Sequence, residues 1–187
     1  MIDFTPAYTR VSALQEIAAG LTLSDLRQST GELFDAILGL IAACSDADVV
    51  FQPADPQAND PAAATAGEAN IAWTLGHVIV HLAASCEESA VLGAEMARGV
   101  APHGRSRAET PWETVTTMGQ VRQRLAESRR MCLAALDMWP DSPHLEGASE
   151  AWPGGPVIDA RGRHALGLFH ADSHLGQICD VIAQARA

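Results

Sequence analysis

Three histidines are the residues of this chain best suited to chemistry. His170 and His174 are four residues apart, so on an α-helix both imidazoles lie on one face. His77 lies far upstream, in a second segment with helical character. Three imidazoles around one ion leave a coordination position open, which is typical of catalytic rather than closed structural metal sites. The spacing therefore indicates His77, His170 and His174 as candidate metal ligands.

Two neighbours of these histidines leave alternatives open. His81 follows His77 by one helical turn; it is either a fourth ligand, a proton shuttle, a partner that orients a ligand, or a partly exposed helix residue. Gln177 lies one turn after His174, where it either holds a ligand in place or joins two helices. Histidines on apolar helix faces also occur as hydrogen-bonded core residues, so a purely structural role is the competing interpretation.

The composition restricts the class of protein. The chain has 187 residues, of which 48 % are hydrophobic and 5 % aromatic, which predicts a single globular domain over residues 1–187 with an aliphatic core. Its formal net charge is -11, and so acidic a surface argues against nucleic acid and anionic membranes as partners. We see neither a signal peptide nor an apolar run long enough to cross a membrane. A cytoplasmic location is therefore expected.

The apolar residues recur with helical spacing in four long segments. The first follows an N-cap at Ser24, and residues 139–160 between the third and fourth carry Pro and Gly that end helices and allow a turn or hairpin. The second segment is apolar on two sides, so we expect it to be packed on both. The predicted helices cover residues 24–44, 71–98, 112–138 and 161–184, with a short extra helix near 11–19.

These segments predict an all-α protein, a four-helix bundle with long loops. The loop over residues 46–70 carries Pro53, Pro56 and Pro61 and is long for a compact domain, so it is expected to be either mobile or functional. Apolar surface beyond what one bundle needs on the second and fourth helices predicts a homodimer.

Several other residue types are expected to be structural. The four cysteines form no CxxC pair and are expected to be buried thiols. The four tryptophans are expected to pack at helix ends, with a pocket mouth as the alternative. Arg161 and Arg163 open the last helix, and we expect them at the surface, although either could meet a carboxylate. Gly176 is expected to allow close helix packing.

Two motifs together resemble the DinB-like superfamily, which includes the bacillithiol and mycothiol S-transferases. They are Leu75-Gly76-His77 at the start of the second helix and the segment His170-x-x-x-His174-x-Gly176-Gln177-Ile178 in the fourth. The number and order of the helices agree with that family. The resemblance implies a four-helix bundle that binds a divalent metal, zinc or nickel, through His77, His170 and His174.

The resemblance also implies a chemistry. Metal-assisted transfer of a low-molecular-weight thiol to a small-molecule substrate occurs in the family, and so does a thiol-dependent isomerisation. A three-histidine zinc site could equally activate water for hydrolysis. The alternatives are a non-catalytic metal-binding protein and a structural, stress-related protein of the same fold. The sequence lacks a phosphate-binding loop, a nucleophile elbow and an HExxH motif, which disfavours the enzyme classes that depend on them.

Overall fold

The computed structural model describes residues 1–10, 12–60, 69–104 and 109–187. The described chain is mostly helical, with one small two-stranded sheet. Two positions named in the sequence analysis, Val11 and Pro61, lie outside the described residues. The helices are α1 (Thr5–Tyr8), α2 (Leu14–Ala18), α3 (Leu23–Leu40), α4 (Asp46–Val50), α5 (Leu75–Ala97), α6 (Met118–Asp137), α7 (Ala160–Ser173) and α8 (Leu175–Ala185), with a 3₁₀ turn at Trp112–Thr114 and strands β1 (Ser149–Glu150) and β2 (Val157–Ile158).

The predicted all-α fold is confirmed: α3, α5, α6 and the α7–α8 pair form the bundle. Threonines begin three of these helices, because a threonine hydroxyl can accept from a backbone N–H that has no partner within the helix. The N-cap of α3 is Thr22 rather than Ser24. The Thr22 hydroxyl accepts from the Asp25 backbone N–H at 3.1 Å, and the Thr22 backbone N–H donates to the Asp25 carboxylate at 2.8 Å. Ser24 does not form such a reciprocal pair.

Helix α5 lies at the centre of the bundle. Its residues are buried on nearly every side, and it packs against both α6 and α7, which confirms the expectation for a helix apolar on two faces. Because the chain itself covers both faces, little of the apolar surface on α5 that suggested a dimer is left over. Val91, 40 % exposed, is its one large hydrophobic residue that stays at the surface.

The predicted last helix is divided in two at His174. The Ser173 hydroxyl donates to the His170 carbonyl at 2.6 Å, and the His174 backbone N–H donates to Ala171 three residues back at 3.1 Å. This tight turn ends α7, and α8 continues from Leu175.

The Pro- and Gly-rich segment forms the predicted hairpin. Strands β1 and β2 pair antiparallel, with Ser149 opposite Ile158. Arg163 on α7 donates to the carbonyls of Ala151 and Glu150, at 3.0 and 3.3 Å. Arg163 is only 7 % exposed, so the expectation that it is a surface charge was wrong. Its guanidinium attaches the hairpin to the bundle.

Two further expectations need correction. Cys44, Cys86 and Cys132 are buried free thiols as predicted, but Cys179 is exposed because α8 turns that side of its surface to solvent. Gly176 has no atom within 4 Å of the position its Cβ would take, whereas a Cβ on Gly76 would meet the Val115 carbonyl at 2.8 Å. Of the two glycines in the histidine motifs, Gly76 is therefore the one that allows close packing. Among the described helices, none has the length and apolar character to cross a membrane.

A buried histidine joins α3 and α7. The Thr30 hydroxyl donates to the Leu26 carbonyl, so it must accept from His164 Nε2, 2.9 Å away. The other ring nitrogen of His164, Nδ1, is buried and has no partner among the described atoms. Burial lowers the pKa of His164 to about 4, because an imidazolium there would lose its hydration.

We expect His164 to make stability depend on pH. Above pH 6.5, near the ordinary pKa of histidine, the His164 ring is neutral in both the folded and the unfolded chain. As the pH falls to 4, only the unfolded chain takes up the proton, so the free energy of unfolding falls. The loss is about 3 kcal/mol. Urea denaturation across this range should show a smaller loss for His164→Gln than for the wild type. His103→Gln, at an exposed histidine, is the control; equal losses in all three proteins would contradict the prediction.

Two glycines should respond oppositely to alanine. A Cβ on Gly167 would meet Ser89 Cβ at 2.7 Å and the Cys86 Cα at 3.0 Å, so Gly167→Ala forces α5 and α7 apart and should cost about 1–3 kcal/mol. Gly176→Ala enters open space in a helix and should be neutral or stabilising by up to about 1 kcal/mol. Denaturation midpoints measure both, and a stable Gly167→Ala protein would count against the close packing.

Candidate functional site

Three imidazoles meet where the end of α7 faces the first half of α5. His170 Nε2 lies 2.8 Å from His81 Nε2 and 3.3 Å from His174 Nε2. One nitrogen of each ring lies within 4.8 Å of the others, an arrangement that could hold a metal ion. We call His81, His170 and His174 the histidine cluster.

The structure brings together two of the three histidines that the sequence indicated. His170 and His174 lie together because His170 is in the last turn of α7 and His174 is the residue that ends it. The third ring of the cluster comes from His81, one turn further along α5 than His77. His81 was noted in the sequence as a possible participant, but only its position opposite His170 in the packed pair α5 and α7 singles it out.

Hydrogen bonds on the outer side of the cluster fix two of its rings. His174 Nδ1 lies 2.7 Å from Gln177 Oε1, and His81 Nδ1 lies 3.2 Å from Glu109 Oε1. Amide and carboxylate oxygens accept, so each Nδ1 donates; a ring whose only N–H is at Nδ1 has its lone pair on Nε2. Gln177 thus holds a ring of the cluster, one of the two roles left open for it. Glu109 could not be found from its sequence position.

His81 Nε2 and His174 Nε2 both lie within hydrogen-bond distance of His170 Nε2. With the Nε2 lone pairs of His81 and His174 directed at His170, a proton on His170 Nε2 can serve only one of them at a time. A divalent cation would accept electron density from all three. Burial lowers the pKa of His174, although its hydrogen bond to Gln177 opposes that shift, so its ring is neutral and able to ligate at neutral pH.

His77 lies next to the cluster but in a different environment. Its ring stacks between Trp73 and Trp112, with centroids 4.5 and 4.8 Å away. The residue is 9 % exposed, and its Nδ1 is buried without a hydrogen-bond partner in the described part of the chain. Burial, with a smaller contribution from His81, lowers the pKa of His77 to about 4. His77 is a neutral ring within an aromatic stack.

A cleft of about 410 Å³ opens onto the histidine cluster. Its walls include Trp73, the aliphatic Ile71 and the carboxylates of Asp55 and Asp60, as well as the three rings. A second hollow, of about 560 Å³, shares Asp55, Trp73 and Gln177 with it and continues along α8. Part of the long loop, for which mobility and a function were the two expectations, thus forms one side of the cleft.

The tryptophans divide between the two roles considered for them. Trp139, 8 % exposed, packs at the end of α6 as expected. Trp73 packs against the core just before α5, as expected, and also lines the cleft. Trp152, 52 % exposed, lies on the hairpin and lines a smaller pocket, so packing at a helix end was the wrong expectation for it.

The fold and the site define a helical-bundle protein with three convergent imidazoles beside a cleft. A comparison with family models agrees: the model of the DinB superfamily matches residues 29–178. The chain therefore belongs to the DinB superfamily, as the two motifs suggested. Searches of the curated proteins and of the solved structures found no match.

Proposed function

We propose that the chain binds one divalent metal ion through His81, His170 and His174, and uses it to transfer a low-molecular-weight thiol to a small-molecule substrate. The observation that carries the proposal is the convergence of three Nε2 atoms whose outer nitrogens are, for two of the rings, engaged by Glu109 and Gln177. Hydrogen bonds of this kind to the outer nitrogen are usual for metal-ligating histidines.

The donor set fits a particular group of metals. Neutral imidazoles suit zinc and nickel, whereas magnesium and calcium prefer oxygen ligands. Three protein ligands leave at least one position for a small molecule, and the cleft beside the cluster supplies the space. A metal ion bound there would supply positive charge that favours the thiolate form of a thiol.

The protein residues around the cluster have distinct parts in this proposal. Glu109 and Gln177 orient the rings of His81 and His174. Trp73 contacts the rings of both, with centroids 4.6 and 5.8 Å away, and covers one side of the cleft, so it limits the access of water to the thiol. The same fold would serve a non-catalytic metal-binding protein, and the activity measurement below separates the two.

The choice of His81 rather than His77 as the third ligand gives a sharp prediction. His81→Ala and His170→Ala should each lose bound zinc or nickel, because each removes one Nε2 donor. His77→Phe should keep the metal, since phenylalanine preserves the aromatic stack between Trp73 and Trp112. The metal content is measured by elemental analysis of untagged protein purified without chelating resin.

The wild type should hold one ion per chain, and circular dichroism should confirm that every variant is folded. If His77→Phe loses the metal while His81→Ala retains it, His77 is the third ligand, as the sequence analysis expected. A wild type without metal after incubation with zinc and nickel would contradict the metal site altogether.

Transfer activity tests the second half of the proposal. The metal-loaded protein should accelerate the conjugation of small thiols to an electrophile such as monobromobimane, and His170→Ala should reduce the rate to that of the uncatalysed reaction. A variant at a distant buried histidine, His164→Gln, is the matched control and should retain activity. Full metal content without acceleration for any thiol tested would favour the non-catalytic function.

Three expectations from the sequence belong to the same proposal. We propose that residues 1–187 form one domain, that the chain forms a homodimer, and that it acts in the cytoplasm. The family match over residues 29–178 supports the first of these. The other two stay predictions.

A further inference from the structure

The second hollow, of about 560 Å³, lies beside α8 and adjoins the cleft. One of its walls is formed by residues 53–55 of the long loop, and another by the side of α8 that starts at Gly176. Trp73 and Gln177 line both this hollow and the cleft, so a molecule in the cleft can extend into it. We call it the α8 hollow.

Hydrogen bonds from the loop to its neighbours fix the width of the α8 hollow. The Ala54 backbone N–H donates to Gln184 Oε1 at 2.9 Å, and the Gln52 side-chain amide donates to the Ala72 carbonyl at 2.6 Å. The first bond attaches the loop to the last turn of α8, and the second attaches it to the segment that leads into α5. The space between loop and helix is therefore part of the fold.

Gly176 keeps one end of the hollow open. No atom lies within 4 Å of the position its Cβ would take, and its φ is not positive. Since glycine is less favourable than alanine in a helix, neither packing nor backbone conformation accounts for a glycine here. Gly176 is itself a wall of the α8 hollow, so a side chain at this position would take up space in it.

Most of the walls are apolar. Val181 is 3 % exposed and Pro53 is buried, Trp73 contributes an aromatic ring, and Ala54 and Ala183 contribute methyl groups. Such surface gains free energy from contact with hydrocarbon in proportion to the area removed from water. The walls therefore match an aliphatic or aromatic part of a ligand.

The charges around the hollow disfavour an anionic group there. Asp55 and Asp180 are its two carboxylates, and the described walls include no basic side chain. Both carboxylates are exposed, so solvent weakens their attraction for a cation. A divalent ion at the histidine cluster adds positive charge at one end only, because Asp180 follows His174 by six residues, about 9 Å along a helix. An anionic group is thus drawn to the metal, and the hollow accommodates an uncharged one.

We infer that the α8 hollow is the subsite for an uncharged, apolar chain or ring of the electrophilic substrate, whose reactive carbon meets the thiol sulfur in the adjoining cleft. The inference rests on the proposed function, because it names the class of electrophile used at that site. A thiol that serves as a general soluble reagent has to be hydrophilic, so the apolar part belongs to the electrophile. Gly176 and Val181 are assigned as residues that determine specificity.

Chloroacetamides that differ only in their N-alkyl chain test this subsite. The sulfur of 1-thioglycerol displaces chloride from the same CH₂ carbon in each; chloride leaves with the electron pair of its bond, and the thiol proton passes to the buffer. We expect kcat/KM of the zinc-loaded protein to be at least about tenfold higher for N-hexylchloroacetamide than for N-methylchloroacetamide, because each methylene removed from water contributes up to about fourfold.

Matched glycine substitutions locate the preference. Gly176→Leu fills one end of the α8 hollow and should bring the ratio of the two kcat/KM values to within about twofold of one. Gly176→Ala adds only a methyl group and should reduce the ratio part of the way. Gly39→Leu is the control, since Gly39 also lies in a helix, α3, with no atom within 4 Å of its Cβ position; it should leave the ratio as it is. Thermal denaturation confirms that the variants are folded.

Two amides without a leaving group separate this inference from the proposed function. Binding of N-hexylacetamide and N-methylacetamide to the metal-free protein is measured by NMR titration. A protein that catalyses no conjugation, yet binds the hexyl amide at least about tenfold more tightly and loses this preference in Gly176→Leu, would contradict the proposed function and keep the hollow as an apolar binding site.

Three results would overturn the inference. Conjugation with equal kcat/KM for the two chloroacetamides would do so and leave the metal-dependent function intact. A preference for the hexyl chain that is unchanged in Gly176→Leu would place the chain elsewhere. A preference for hexane-1-thiol over propane-1-thiol, without one among the chloroacetamides, would assign the hollow to the thiol.

Discussion

The contact between α5 and α7 is the interaction on which the rest of this structure depends. Helix α5 is buried on almost all sides, so its position is set by apolar burial, the largest favourable contribution to folding. Glycines at 93 and 167 let the two backbones approach closely, since side chains there would meet α7 and α5 respectively. That close approach places His81 opposite His170.

Polar groups enter this apolar contact only where neighbours satisfy them. Unpaired polar atoms in a protein interior cost more than a hydrogen bond returns, and the outer nitrogens of His81 and His174 are accordingly engaged by Glu109 and Gln177. The exceptions are informative. His77 and His164 each keep a buried nitrogen without a partner among the described atoms, and for both the solution is a neutral ring with a lowered pKa.

His170 lines both the larger cleft and a smaller pocket along the α5–α7 contact. The larger cleft has acidic and aromatic walls, while the smaller pocket is lined by Ser85, Ser89 and Arg163 among others. The same loops and hairpin that the sequence marked as irregular supply the outer walls of both, which is where binding residues commonly lie on a rigid scaffold.

Much of this architecture follows from local sequence. The periodicity of apolar residues predicted four helices, prolines and glycines predicted the hairpin, and the spacing of His170 and His174 placed both rings on one face. One boundary was wrong: the predicted N-cap Ser24 lies two residues after Thr22, which forms the capping pair with Asp25. The expectation that Gly176 allows close packing was also wrong, because only the packed structure shows that Gly76, beside Val115, has no room for a Cβ while Gly176 does.

The sequence by itself determined that histidines from α5 and from the end of α7 could meet, because amphipathic helices must bury their apolar faces together. It did not determine which histidine of α5 takes part. His77 and His81 lie on one side of a helix and differ by about 6 Å along its axis, so only the height at which α7 crosses α5 selects between them. Glu109, distant in sequence, enters for the same reason: the partner of a buried ring is fixed by how the chain folds around it.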